Sequence, residues 1–147
     1  MHAVEYHVVS HTDSFVDTNV FVYAQDSSDP QKRAAALKLL STLSKEGRIA
    51  ISTQVLQEFA SVAIRKLELS LPETNTLLDE LGKLPVFSID VAVIKDAVTI
   101  HFAHKLSFFD SLIIATAAQN GCSYVYSEDM AEGHTVRNVT IINPFNL

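Results

Sequence analysis

A single cysteine, Cys122, stands in 147 residues. One thiol closes no internal disulfide, so a reducing cytoplasm suits the chain. No apolar stretch reaches the ~18 residues that a membrane span requires. The opening MHAVEYHVVSHTDS has neither the basic n-region nor the apolar h-region of a signal peptide. There is no G-x-x-x-x-G-K-[ST] loop, no G-x-G-x-x-G and no G-x-S-x-G, which leaves P-loop, dinucleotide-cofactor and serine-hydrolase readings without support. Repeats, low-complexity tracts and linkers are absent as well. Positive charge is scarce: 11 Lys and Arg face 17 Asp and Glu, for a net charge of −6 and a pI near 5.4. At face value this argues against a nucleic-acid binder. The sign of a whole chain says little about one site, however. A cluster of carboxylates that holds divalent cations counts as acidic here and becomes neutral or positive when loaded.

The length suits one domain, and a hydrophobic fraction of 48% is ample for one core. Residues 1–14, with His2, His7 and His11, show no clear period. They read as a partly ordered extension, or as a leader from an expression vector or an early start codon. The run from Phe15 to Ala24 reads as a buried strand entering a turn. Asp29 and Pro30 then start a helix whose apolar face is Ala36, Leu39, Leu40 and Leu43, ended by Gly47. RIAIS is a short strand. Ser52 or Thr53 caps the next helix, with Val55, Leu56, Phe59, Val62 and Ala63 inward. A further helix starts at Pro72, PVFSID is a strand, and Asp90 caps VAVIKDAVTIHFAHKL. SFFDSLIIATAAQNG, capped near Ser107, is apolar almost all round and so deeply buried. CSYVYS and VTIIN are the last strands. Strands alternating with helices predict an α/β fold, a three-layer α/β/α sandwich with a mostly parallel central sheet.

Ligands in such folds bind beyond the carboxyl ends of the strands. Asp17 lies at or just past the end of the first strand, and Asp129 follows SYVYS by two residues. Asp110 sits in the first turn of the buried helix, where the dipole favours a carboxylate. Glu58 lies one turn into the helix after RIAIS. Four acids from four separated segments are thus expected at one sheet edge. Left unneutralised they repel one another, and the usual remedy is a hard divalent cation with oxygen ligands, Mg²⁺ or Mn²⁺. Asn19 and Ser127 supply neutral hydrogen bonds. Each acid alone has a plainer reading: a turn cap with Asn19 for Asp17, a solvated helix residue for Glu58, a helix cap for Asp110, a turn residue for Asp129. Glu128 and Glu132 compete with Asp129. Thr18 is assigned no chemistry, since its side chain is expected on the opposite face.

His101 and His104, spaced i, i+3, lack an evident further ligand and read as a solvated or core-edge face. His134 reads as a loop residue and Cys122 as a small buried hydrophobe. Lys32, Arg33, Arg65, Lys66, Lys105 and Arg137 are candidates for phosphate contacts.

The segments FVDTNVFVYA, STQVLQEF, LSFFDSLIIATA and YVYSEDMAEG resemble, in order, the four acidic motifs of PIN-domain ribonucleases, above all VapC-type toxins of bacterial toxin–antitoxin pairs. The resemblance runs from Ser14 to Phe145 and implies a single PIN-like nuclease domain over residues 15–147. It places the family's metal-binding, catalytic acids on Asp17, Glu58, Asp110 and Asp129, with Asn19 and Ser127 in support. It implies Mg²⁺ or Mn²⁺ as cofactor, single-stranded RNA as substrate, a homodimer and a small antitoxin that occludes the site. The lead before the first Asp is longer than is usual in the family.

The expectation is therefore a metal-dependent endoribonuclease, acting on single-stranded or structured RNA and leaving a 5′-phosphate. The alternative is a PIN-fold binding module with weak or no nuclease activity that acts through a protein partner. A Mg²⁺-dependent phosphatase of the haloacid-dehalogenase type needs D-x-D-x-[TV] after the first strand. Asp17-Thr18-Asn19-Val20 lacks the second Asp.

Overall fold

A computed structural model describes residues 12–146. Six strands, β1 (Ser14–Val16), β2 (Ile49–Ser52), β3 (Val86–Phe87), β4 (Tyr124–Tyr126), β5 (Thr135–Val136) and β6 (Val139–Ile142), form one sheet in the order β3-β2-β1-β4-β6-β5. All neighbours run parallel except β5, which pairs antiparallel with β6 at the edge. Among the described residues six helices connect and cover them: α1 (Thr18–Gln25), α2 (Pro30–Lys45), α3 (Thr53–Arg65), α4 (Leu71–Leu81), α5 (Val91–His104) and α6 (Phe108–Gln119). The expected α/β sandwich with a mostly parallel sheet is the fold.

The order of the strands decides where the helices go. From β1 through β2 to β3 the chain steps one way across the sheet, so right-handed crossovers lay α1 to α4 on one face. From β3 it returns past β1 to β4, so α5 and α6 fall on the other. The packing agrees: α1 meets α2 and α3, α3 meets α4, and α5 packs on α6. The reversal falls between β1 and β4. That is the switch point of the sheet, where two adjacent strands send their chains to opposite faces and leave a crevice.

The core lies on both sides of the sheet. Phe15, Val16, Ile51, Val125 and Ile141 are buried from the strands, and Val20, Leu43, Val55, Phe59, Val93, Ile100 and Ile114 from the helices. In α6 every residue from Ser111 to Ala117 is buried, as its all-round apolar character predicts. The cap signals hold as well. Asp29 accepts from Lys32 N at the start of α2, Asp90 from Val93 N at α5, and Ser107 from Asp110 N at α6. Gly47 ends α2 in a left-handed conformation (φ 64°), with Arg48 N bonded to Leu43 O and Gly47 N to Ser44 O, a Schellman motif.

The run from Phe15 to Ala24 is not a strand. β1 stops at Val16, Asp17 caps a helix, and α1 follows at once. Thr18, Val20, Phe21, Val22 and Ala24 are all buried, so the segment lacks the polar face that would betray a 3.6-residue period. β5 is a further difference. Its two residues, the second of them buried, lie in a stretch read as loop. Of the extension expected over residues 1–14, residues 1–11 with His2, His7 and His11 lie outside the described residues, and Ser14 already belongs to β1.

Candidate functional site: an acidic pocket at the switch point

The pocket is built on the adjoining ends of β1 and β4. Val16 pairs with Tyr126, and Asp17 N donates to Tyr126 O at 2.9 Å, which carries the ladder one residue further. Asp17 therefore leaves the sheet beside the segment that holds Ser127 and Asp129. As the cap of α1 it accepts from Thr18 N through Oδ1 at 2.7 Å. Its Oδ2 accepts from Ser127 Oγ at 2.7 Å and, at 3.4 Å, from Asn19 Nδ2. Only 5% of Asp17 is exposed. Burial raises its pKa to about 6; the bonds from Ser127 and Thr18 oppose the rise, and the charges of Glu58 and Asp129 add to it.

Asn19 and Ser127 join the first acid to the fourth. Asn19 Nδ2 donates to Asp129 Oδ2 at 3.0 Å, and its Oδ1 accepts from Glu128 N at 3.3 Å. Ser127 Oγ, fully buried, gives its proton to Asp17 and accepts from Asp129 N at 3.2 Å. Both residues thus hold the β4 loop against the start of α1.

Glu58 projects from α3 and is half-buried. Its Oε1 accepts from Thr18 Oγ1 at 3.0 Å, and Gln54, one turn earlier, lies beside it while donating through Nε2 to Phe109 O at 3.3 Å. Burial raises the Glu58 pKa, Thr18 and Gln54 lower it, and Asp110 and Asp129 raise it. Asp110 lies in the first turn of α6. Burial raises its pKa too, with Ser107 opposing and Asp129 adding. Thr18, given no role in the sequence reading, is thus a clamp: its N–H holds Asp17 and its hydroxyl holds Glu58. Read as a strand residue it fell on the wrong face. A helix starting after Asp17 would have turned it toward α3.

A cavity of about 300 Å³ is lined by Asp17, Glu58, Asp110 and Asp129 together with Thr18, Asn19, Tyr23 and Lys66. The rival acids are engaged elsewhere. Glu128 touches this cavity, but it pairs with Lys32 and accepts from Tyr23 Oη at 2.7 Å. Burial alone would raise its pKa; those two partners outweigh burial and hold it low. Glu132 accepts from Asn143 N at 3.1 Å and Asn146 Nδ2 at 2.9 Å, securing the C-terminal turn.

Among the other candidates, Cys122 is buried and its thiol is pushed up to about 11, chiefly by burial, which makes it inert. His101 Nδ1 bonds Leu106 O, and His104 and His134 stack edge to face 6.3 Å apart, away from the acids. Arg137 pairs with Asp96, Arg65 with Ser61, and Arg33 with the carbonyl of Ala24.

The donor set, all hard anionic oxygens around one cavity with Asn19 and Ser127 as neutral support, fits a hard divalent cation. As the side chains stand, no group of three His, Cys, Asp or Glu among the described residues is set to hold an ion. Carboxylate oxygens of Asp17, Glu58 and Asp129 accept from Thr18, Asn19 and Ser127. Among the described residues no helix is long and apolar enough to cross a membrane.

A parallel sheet with four acids around the crevice at its switch point defines an α/β protein with an acidic pocket. The chain belongs to the PIN domain family, whose model matches residues 14–131. No curated protein matches it by sequence. Among solved structures, a chain of a toxin–antitoxin complex from Klebsiella pneumoniae is similar, with a TM-score of 0.69 and 18% identity over 91% of this chain and 99% of that one. VapC20 of Mycobacterium tuberculosis, a sarcin-ricin loop cleaving toxin, has a TM-score of 0.63 and 19% identity over 76% and 86%. A chain of DNA-bound VapBC from Salmonella typhimurium has a TM-score of 0.61 and 21% identity over 88% and 96%. At these identities the likeness is one of fold.

Proposed function

We propose that this protein is a metal-dependent endoribonuclease and the toxin of a toxin–antitoxin pair, silenced by an antitoxin chain and working as a homodimer in the cytoplasm. The observation that carries the reading is the convergence of Asp17, Glu58, Asp110 and Asp129, from four separated segments, on one cavity. Membership of the PIN domain family and the likeness in fold to chains of toxin–antitoxin complexes support it.

Asp17, Glu58 and Asp110 would hold a first Mg²⁺ or Mn²⁺, with Asp129 completing or supporting a second site. When bound, such an ion supplies an activated water and stabilises charge building on a phosphate. The chain's own residues set the donors. Thr18 orients Asp17 and Glu58 together, Asn19 and Ser127 steer Asp129 beside Asp17, and Ser107 fixes the first turn below Asp110. The raised pKa values of Asp17, Glu58 and Asp110 mark carboxylates whose charge is uncompensated without a cation.

The test is cleavage of RNA by the purified protein with Mg²⁺ or Mn²⁺, with EDTA, and with Asp17→Asn. The reading expects cutting that needs the ion and Asp17 and that leaves 5′-phosphate ends. Cutting that survives both EDTA and the substitution overturns it. A second reading, a binding module of the same fold with a weak or silent nuclease site, draws on the absence of a ready-made group of three ligands among the described residues. Tight antitoxin binding without cleavage of any RNA selects it.

A further inference from the structure

Beside the acidic pocket lies a second cavity of about 540 Å³, lined by Asp29, Gln31, Lys32, Lys38 and Phe145 along the outer side of α2. Four side chains form the wall between the two. Tyr23 and Glu128 line the acidic side, Lys32 and Phe145 the other. Tyr23 and Phe145 meet edge to face, with ring centroids 4.9 Å apart. The Lys32 ammonium stands 4.8 Å from the Tyr23 ring centroid and 5.9 Å from that of Phe145 while it pairs with Glu128.

Three consequences follow for a polyanion approaching the acids. Lys32 cancels the charge of Glu128, so this wall adds no net negative charge to the pocket rim. Lys38, exposed in the second cavity, and Lys66, exposed on the opposite side of the acidic pocket, place cations on both flanks. The two rings, both half-buried and edge to face with the Lys32 ammonium over them, form with it a mixed cationic and aromatic surface on which an unpaired base stacks, with Gln31 and Asp29 nearby to meet its polar edge.

We propose that a single-stranded RNA lies across this wall, its backbone tracking from Lys66 over the acidic pocket to Lys38, with the base next to the scissile phosphate held on Phe145 and Tyr23. The inference rests on the nuclease reading above and adds the substrate's path and a residue that sets its preference. A paired duplex has no splayed base to place on the rings, so the path selects unpaired RNA. It also gives the chain an anion track despite its overall charge of −6.

The test uses the full chain carrying Asp17→Asn, so that binding is read without cutting. A fluorescein-labelled single-stranded oligoribonucleotide is titrated by anisotropy at several salt concentrations. Lys38→Ala and Lys66→Ala should each lower the slope of log affinity against log salt by about 0.7. Phe145→Leu, which keeps apolar volume under the C-terminal turn, should weaken binding about tenfold with the slope unchanged. In the otherwise wild-type chain, Phe145→Leu should also shift which phosphodiesters are cut. RNA binding that is absent, or unaltered in affinity and slope by these variants, overturns the track. So does weakening by Phe145→Leu unaccompanied by the two slope changes, or a Phe145→Leu effect confined to binding of an antitoxin. The two readings fail separately: RNA held along the track by a wild-type protein that never cuts removes the nuclease, whereas cutting by variants that bind as the parent does removes the track.

Discussion

Asp17 serves two masters. It caps α1 through Thr18 N, a role any small acceptor fills, and it puts a carboxylate where only 5% of the residue meets solvent. The second role costs stability, and the cost depends on pH. The folded pKa, about 6, lies above the ordinary 3.8, so the native state binds more protons between those values. Stability from this group therefore falls as pH rises from about 4 to about 6 and stays low above, by up to about 3 kcal/mol. Urea melts in EDTA at pH 5 and pH 7.5 check this. Wild type should lose stability relative to Asp17→Asn on going to the higher pH, and added Mn²⁺ should restore wild type alone. Parallel behaviour of the two proteins would contradict it. Thr18 gives a second prediction at this scale. Thr18→Val removes the bond to Glu58 and keeps the shape, and should weaken Mn²⁺ binding by calorimetry about tenfold, with Thr18→Ser restoring most of it. The four acids are legible in the sequence because alternating strands and helices tell which strand ends open onto the crevice. Thr18 is not, because its role depends on the helix that the apolar run conceals. Nor are the other engagements of Glu128 and Glu132, which turn on Lys32, Tyr23 and Asn146 reaching in from distant segments.

Elements were readable where chemistry punctuates them. Asp29-Pro30, Asp90, Ser107 and Gly47 mark helix ends through specific hydrogen bonds or a left-handed turn, and each does so in the structure. β1 and α1 share one apolar run because both are buried, and a periodicity argument fails where no face is polar. β3 and β5, two residues each, are defined by their neighbours more than by their own composition. The same distinction sets the energetics. α4 opens with a capping box, Ser70 and Glu73 bonding each other's backbone, on an exposed turn. Ser70→Ala should cost about 1 kcal/mol. Ile114, at the centre of α6, is fully buried, and Ile114→Ala should cost about 3 kcal/mol in cavity and lost contact. Urea unfolding of both variants orders them; equal losses would show that α6 is not the keystone its burial implies.

At the scale of the molecule, topology does what no single segment does. The chain crosses to β3 and returns beyond β1, so β1 and β4 lie side by side while α3 and α6 reach the same crevice from opposite faces. Four acids separated by up to 112 positions in the chain, Asp17 to Asp129, become neighbours on that account. A net charge of −6 by itself argues against nucleic acid; on the proposed function the four acids in one cavity take up cations, and Lys66 and Lys38 stand in that cavity and the one beside it. The central claim is that these acids work as one unit, and residues that act as a unit are not additive. The most direct measurement is the rate of RNA cleavage in Mn²⁺ by Asp17→Asn, Asp110→Asn and the double variant. Each single change should lower the rate by about 10³-fold or more, and the double variant should be no slower than the worse single one. Losses that multiply, or a rate untouched by either change, would contradict the account.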